Sequence, residues 1–143
     1  MQGKALYSGP LGPELISRMM SLADGDADAG AVSVFIGRVR SDRSENRQVT
    51  AIEYSAYPEM VEKEIAEIES EIKASFTDVR EFFAVHSEGV VKAGEASLFI
   101  MITAGHRDHA TKACRETLEK IKERLPVWKK EIYDDASARW KEE

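Results

Sequence analysis

The sequence predicts a single α+β domain, residues 1–143, in which helices pack on a mixed or largely antiparallel sheet. Segments 58–76 and 108–125 place apolar residues three and four positions apart, which is the spacing of amphipathic helices. The segments around them alternate or run apolar over the length of a strand. Strands and helices follow one another without an internal repeat or a low-complexity linker, which is typical of one α+β domain.

The first third of the chain contains a predicted helix and two predicted strands. Pro13 begins the helix, and proline is favoured at a first helical position. The aspartates of the loop 24–30 have calcium-loop spacing, but Phe35 stands where a bidentate glutamate is needed, so we reject calcium. Segments 31–40 and 48–57 are the strands, with polar segment 41–47 as a hairpin loop between them. The first strand alternates Val32, Val34 and Ile36 against Ser33, Phe35 and Gly37.

The rest of the chain alternates long helices with strands. Pro58 begins the helix 58–76, whose charged face we expect to be only solvated surface. Segment 78–105 is predicted to form two or three strands, with turns at Gly89 and Gly94. Helix 108–125 ends at Pro126, and segment 127–133 is a short final strand.

Composition narrows the functional classes. A net charge of −6 and a pI near 5.2 disfavour binding to nucleic acid or to an acidic membrane surface. The single cysteine, Cys114, lies on an apolar helical stripe, so we interpret it as inert packing in a reducing compartment. No apolar run has the length of a membrane span or the character of a signal peptide, and we expect a soluble cytoplasmic protein.

One candidate anion site lies where a predicted strand meets a helix, at residues 105–108. Free backbone N–H groups, the helix dipole and the Arg107 guanidinium could converge there on a phosphate or a carboxylate. The alternative is that Asp108 caps the helix and Arg107 is merely exposed. His106 and His109 are spaced to share a metal, but no third ligand follows at a recognisable spacing, so we expect no metal site.

Two lysines near the end of the last helix are further candidates. Lys122 has a simple explanation, because a cation near a helix C-terminus complements the helix dipole. Lys129 follows a sharp break, and strand alternation puts it on the face opposite Trp128 and Lys130. A desolvated lysine near other cations has a lowered pKa and can act as an acid, a base or a nucleophile.

An ordered set of short motifs between residues 30 and 140 is specific to one family. The set consists of Gly30-Ala31, residues 35–40, residues 53–57, His86, Gly94-Glu95, Gly105-His106-Arg107, Lys122 and residues 126–131. Through these motifs the sequence resembles the large, catalytic subunit of molybdopterin synthase. It departs from the family pattern at Ser87, where an arginine is usual, in the longer loop 41–47, and at residues 134–138 before the last tryptophan.

The resemblance implies an α/β hammerhead-type fold and a homodimer that carries a small ubiquitin-like sulfur-carrier subunit at each end, a heterotetramer. The C-terminal thiocarboxylate of the carrier would donate sulfur to cyclic pyranopterin monophosphate and so build the dithiolene of molybdopterin, without a cofactor in this chain. By the same resemblance Lys122 and Lys129 are the catalytic residues. The residues that would bind the substrate or line the site are Arg38, Val39, Arg40, His106, Arg107, Lys130 and Glu131.

Helix geometry adds a constraint to this hypothesis. His106 and Lys122 are 16 residues apart, mostly within a helix, so about 24 Å separates them. If both act on one small substrate, His106 must come from a neighbouring protomer, which predicts a composite site across a two-fold interface. The competing interpretation is a non-enzymatic α+β module that binds a small anion or a partner subunit. A third is a folded subunit that has lost activity, which Ser87 would favour.

Overall fold

The computed structural model describes residues 1 and 3–141. Eight strands and three helices follow one another in these residues. They are β1 (Leu6–Ser8), α1 (Pro13–Ser21), β2 (Ala31–Arg38), β3 (Arg43–Ser44), β4 (Arg47–Ala56), α2 (Pro58–Ser75), β5 (Val79–Lys92), β6 (Ala96–Ala104), α3 (Arg107–Arg124), β7 (Val127–Tyr133) and β8 (Ala138–Trp140).

The strands form one sheet in the order β2-β6-β5-β4-β7-β8, with β1 beside β5 and β3 beside β4. Every pairing is antiparallel except that of β1 with β5. Strand β6 is buried along nearly its whole length, because β2 and β5 flank it and α3 packs on one face. The predicted α+β class and the largely antiparallel sheet are therefore confirmed.

The three predicted helices are present with nearly their predicted bounds. Proline stands at the first position of α1 and α2, and Pro126 follows α3 as predicted. The predicted apolar stripe of α2 is buried in the core at Val61, Ile65, Ile68 and Ile72.

The charged face of α2 is more than solvated surface, which corrects the prediction. Glu64 and Glu71 both accept hydrogen bonds from the Arg124 guanidinium, at 2.6 and 2.8 Å. Glu62 accepts from the Ala5 N–H, and Glu69 from the N-terminal ammonium. These contacts tie α2 to α3 and to the start of the chain, and helical periodicity alone does not reveal such partners.

The predicted hairpin between β2 and β4 is wrong. Strand β2 pairs with β6, which is about sixty residues away in sequence, whereas β4 pairs with β5 and β7. The polar segment between them folds back on β4 as β3, through a tight turn in which Glu45 and Asn46 have positive φ. Sequential strands do not always pair, and the local pattern does not show which strand is the partner.

Strand β5 also departs from the prediction, because it continues through Gly89 instead of turning there. It pairs with β6 up to His86 and with β4 from Gly89 onwards, so it joins two parts of the sheet. Gly89 has a φ of +90°, a conformation that favours glycine and lets the strand bend at this transition. The predicted turn at Gly94 is confirmed. Strands β1, β3 and β8 were not predicted, since two or three residues carry no periodic signal.

One apolar surface remains uncovered in the single chain. Val32, Val34 and Ile36, the alternating apolar residues of β2, are 53, 36 and 41% exposed. With α1, Val32 and Ile36 border a groove of about 930 Å³ that Ile16 and Met20 also line. The alternation thus marks an apolar face correctly, but that face is not covered by this chain.

Candidate active site

A polar cavity of about 360 Å³ lies where β5 passes from β6 to β4. Its walls come from β2, β4, β5, β6, β7, the last turn of α3 and the last described residue, Lys141. Six of the nine predicted site residues line it, namely Arg38, Val39, Arg40, Lys122, Lys129 and Glu131.

The two lysines reach the cavity from different elements. Lys122 lies in the last turn of α3 and is exposed, whereas Lys129 lies on β7 and is half-buried. The neighbours of Lys129 on the strand point away, as alternation predicts. Trp128 packs edge-on against Tyr57, and the Lys130 ammonium lies 3.5 Å from the Glu53 carboxylate. Lys130 is therefore not among the residues that line the cavity.

The end of β2 supplies two arginines. Arg38 donates to the carbonyl oxygen of Gly94, which fixes the guanidinium across the turn between β5 and β6. Arg40 forms an ion pair with Asp42 at 2.6 Å and stays exposed. Val39, between them, is buried and exchanges backbone hydrogen bonds with that turn. The backbone of this segment is thus held firmly while the charged groups face the cavity mouth.

The inner part of the cavity contains polar residues to which the sequence analysis assigned no role. His86 is 7% exposed, and its ring packs edge-on against Tyr54 with centroids 4.9 Å apart. The Tyr54 hydroxyl lies 3.0 Å from the Ser97 hydroxyl oxygen. Burial raises the pKa of Tyr54. The only sequence signal for this group is a histidine within an apolar strand, next to a motif tyrosine.

Burial also controls the charge of His86. Desolvation, together with the nearby Lys129 and Lys122 ammonium groups, lowers the pKa of His86 to about 4. The imidazole is therefore neutral at physiological pH.

Cations dominate the cavity although the protein is acidic. Lys141, from the end of the described chain, joins the two lysines and two arginines, and the carboxylates of Asp42 and Glu131 oppose them. Among the described residues that line the cavity, five cations against two carboxylates give a net charge of +3, in a chain whose net charge is −6. Such a cavity favours an anionic ligand.

The junction at residues 105–108 lies outside this cavity, at the other end of α3. His106 and Arg107 are exposed there. The His106 N–H donates to Asp78 at 3.2 Å, and His109 Nδ1 lies 2.7 Å from the other oxygen of the same carboxylate. Asp78 thus accepts the N–H of the residue that precedes α3. The alternative that Asp108 caps the helix is wrong, since no described side chain makes a cap hydrogen bond there and Asp108 pairs with Lys112.

Ser87, the departure from the family pattern, does not face the cavity. It is fully buried on the strand face opposite His86, and its hydroxyl has no hydrogen-bond partner in residues 1 and 3–141. A serine here therefore removes no cation from the cavity. Within the same residues, no three His, Cys, Asp or Glu side chains are grouped as metal ligands. No described helix is long and apolar enough to cross a membrane.

The fold and the cavity define an α+β protein with a cation-lined cleft at the bend of its central strand. The chain belongs to the MoaE protein family, because the family model matches residues 10–124. It is 41% identical over 117 residues to the molybdopterin synthase catalytic subunit of Oryza sativa subsp. indica, covering 82% of this chain and 59% of the rice protein. It thus spans about three fifths of that relative.

A further relative is matched over most of its own length, and two solved structures share the fold. The molybdopterin synthase catalytic subunit of Thermoplasma volcanium is 39% identical, over 79% of this chain and 81% of its own. A crystal structure of molybdopterin synthase from Staphylococcus aureus superposes with a TM-score of 0.87 at 29% identity, covering 100% of this chain and 99% of that one. A complex of subunits 1 and 2 of the molybdopterin-converting factor from Helicobacter pylori shares the fold, with a TM-score of 0.80 at 20% identity over 96% of this chain and 89% of that chain.

Proposed function

We propose that this protein is the catalytic subunit of a cytoplasmic molybdopterin synthase. It transfers sulfur from the thiocarboxylated C-terminus of a small carrier subunit to cyclic pyranopterin monophosphate, which forms the molybdopterin dithiolene. The convergence of Lys122 and Lys129 with Arg38 and Arg40 on one cavity carries this proposal. The names of the rice and archaeal relatives support it, and the two-subunit Helicobacter pylori complex supports a small partner.

The cavity has the chemistry that this reaction needs. Both reactants are anions, a thiocarboxylate and a cyclic phosphate, and the lysine and arginine side chains supply the opposing charge. The two ammonium groups also stabilise negative charge on the acyl oxygen as the carbon–sulfur bond changes. A protein thiol is not required. Consistent with this, Cys114 is buried in the core, and burial raises the pKa of its thiol.

The second half of the site comes from another copy of the chain. Fifteen residues of α3 separate Arg107 from Lys122, about 23 Å, and the eight residues of β2 span about 26 Å between the same two ends of the molecule. A two-fold axis near the middle of β2 would place His106 and Arg107 of one copy beside Arg38 of the other. The exposed apolar face of β2 supports an interface there.

In this assembly the carrier tail enters the cavity as an extended segment, and the dimer with two carriers is a heterotetramer. His106 and Arg107 of the second copy bind the phosphate with Arg40, and Lys122 and Lys129 flank the thiocarboxylate. Glu131, buried to 9% exposure, accepts a hydrogen bond from the Tyr133 hydroxyl at 3.3 Å and lines the same wall. Lys130 lies on the other strand face, and its ammonium group packs over the Trp140 ring.

The proposal is tested by turnover of the two lysine variants. Purified protein is mixed with thiocarboxylated carrier and cyclic pyranopterin monophosphate, and formation of the dithiolene product is followed. We expect Lys122→Ala and Lys129→Ala each to lower turnover about a thousandfold, because each removes a group that stabilises charge in the transition state. Lys112→Ala is the matched control, since Lys112 lies on the same helix, is exposed and pairs with Asp108 one turn away.

The control is expected to turn over like the unaltered protein. Full activity of both lysine variants would contradict the enzymatic function. Binding of the carrier or of the phosphorylated substrate without any product would instead favour the non-enzymatic module.

A further inference from the structure

His86 is a buried titratable group in the cavity to which the proposed reaction has so far given no task. Its backbone N–H donates to the Ala5 carbonyl oxygen at 2.8 Å, so β5 holds it rigidly between β1 and β6. Four elements surround the ring, through Tyr54 of β4, Ser97 of β6, Lys122 of α3 and Lys129 of β7. A histidine with such fixed surroundings has a defined orientation.

The hydrogen bonds of the ring fix its tautomer. Nδ1 lies 2.8 Å from the Ser87 carbonyl oxygen, and because a carbonyl only accepts, Nδ1 carries the proton. Nε2 then has a free lone pair, and it makes no hydrogen bond to any residue among 1 and 3–141. Burial and the two lysines keep the ring neutral. The cavity therefore contains a neutral base with its lone pair unused.

Sulfur transfer from a thiocarboxylate requires such a base at one particular step. Once the sulfur has bonded to the substrate, the carrier remains attached to it as a thioester. Releasing the carrier requires water to add to the acyl carbon, after which the bond between that carbon and sulfur breaks. The products are the carrier carboxylate and a thiol on the substrate, and a proton must leave the water as its oxygen adds.

We propose that His86 is the general base for this hydrolysis, a role that rests on the proposed function. Nε2 takes one proton from water as the oxygen attacks the acyl carbon, and the sulfur takes that proton back when it leaves as a thiol. The carboxylic acid product loses its other proton to solvent. Lys122 and Lys129 bind the acyl oxygen. His86 therefore activates the water, and the two lysines stabilise the negative charge on the oxygen.

Two variants distinguish a role of His86 as a base from a purely structural role of its ring. His86→Asn keeps a donor for the Ser87 carbonyl but lacks Nε2, and His86→Gln places an uncharged amide near the Nε2 position. Lys112→Ala is the control, because Lys112 is exposed in the N-terminal part of α3, far from this cavity. All are assayed with thiocarboxylated carrier and the pterin substrate, and the carrier mass is measured under denaturing conditions during turnover.

We expect both His86 variants to lower kcat about a hundredfold with little change in KM, and to accumulate carrier of increased mass, because the substrate stays attached to it through the thioester. A merely structural role would not trap this adduct. The charged groups sharing the cavity are the same in every variant, namely Arg38, Arg40, Asp42, Lys122, Lys129, Glu131 and Lys141.

Turnover within about twofold of the unaltered protein would overturn the role of His86, as would slow turnover without the adduct in both variants. An unaltered protein that makes no product would instead overturn the proposed function and this role with it, so the two failures are distinguishable.

Discussion

The two ends of α3 present cations in different surroundings. At the C-terminal end, Lys122 shares a cavity with Lys129 of β7 and with the end of β2, beside a buried histidine. At the N-terminal end, His106 and Arg107 are exposed, and the His106 N–H donates to Asp78. The C-terminal end lies in a pocket enclosed by several elements, whereas the N-terminal end presents charged groups on an open surface. Cations of the second kind need another surface before they can hold a small ligand.

The largest effect that tests this comparison is complementation between protomers. Lys129→Ala and Arg107→Ala are each expected to lose activity, Lys129→Ala about a thousandfold. Co-expressed with two different tags, they form mixed dimers in which one composite site has every cation. Dimers purified through both tags are all mixed and should recover about half of full activity, because one of the two sites in each is intact. Turnover of the co-purified proteins measures this.

The matched control pairs Lys129→Ala with Lys122→Ala. Both residues belong to the cavity of one chain, so a mixed dimer has no intact site and should remain inactive. Equal recovery in the two mixtures, or none in either, would contradict a site that draws its residues from two copies.

Local pattern predicted the elements of the fold better than their pairing. The helices α2 and α3 follow from apolar spacing, and the opposite orientations of Lys129 and Lys130 follow from strand alternation. The pairing of β2 with β6 did not follow, because strand pairing depends on contacts between distant segments. The sequence predicts a turn at Gly89, where the long strand β5 in fact continues, because a glycine is as typical of a bend within a strand as of a turn.

The same reason explains what was missed in the site. The position of Lys129 in a short strand is enough to predict which way its side chain points and that it can contribute to a site. The environment of His86 is set by Tyr54, Ser97 and Lys122, which are 11 to 36 residues away and belong to three different elements. Sequence spacing does not bring these residues together, and only the bend of β5 does.

A smaller effect is expected for the stability of the protein in acid, through His86 in the cavity at the C-terminal end of α3. The pKa of His86 is about 4 in the folded protein and near 6.5 when unfolded, so between these values the unfolded chain binds more protons. The free energy of unfolding should therefore decrease by about 3 kcal/mol as the pH falls from 6.5 to 4, through this residue alone. Urea denaturation at a series of pH values measures the decrease.

His86→Gln should show an acid slope that is shallower by this amount. The carboxyl groups whose pKa is lowered, such as Glu71, Glu69 and Asp78, contribute equally in both proteins. Identical slopes in His86→Gln and the unaltered protein would contradict the assignment of a buried neutral histidine.

The smallest expected effect concerns the backbone contact that positions the exposed end. Gly30, just before β2, packs so closely on the Gly105 carbonyl that an added Cβ would overlap its oxygen. Gly30→Ala should push the start of β2 away from the start of α3 and destabilise the protein by about 2 kcal/mol in urea unfolding. Gly12→Ala is the matched control, because nothing lies within 4 Å of its Cβ position. Equal stability of the two variants would show that Arg107 does not depend on this contact for its position.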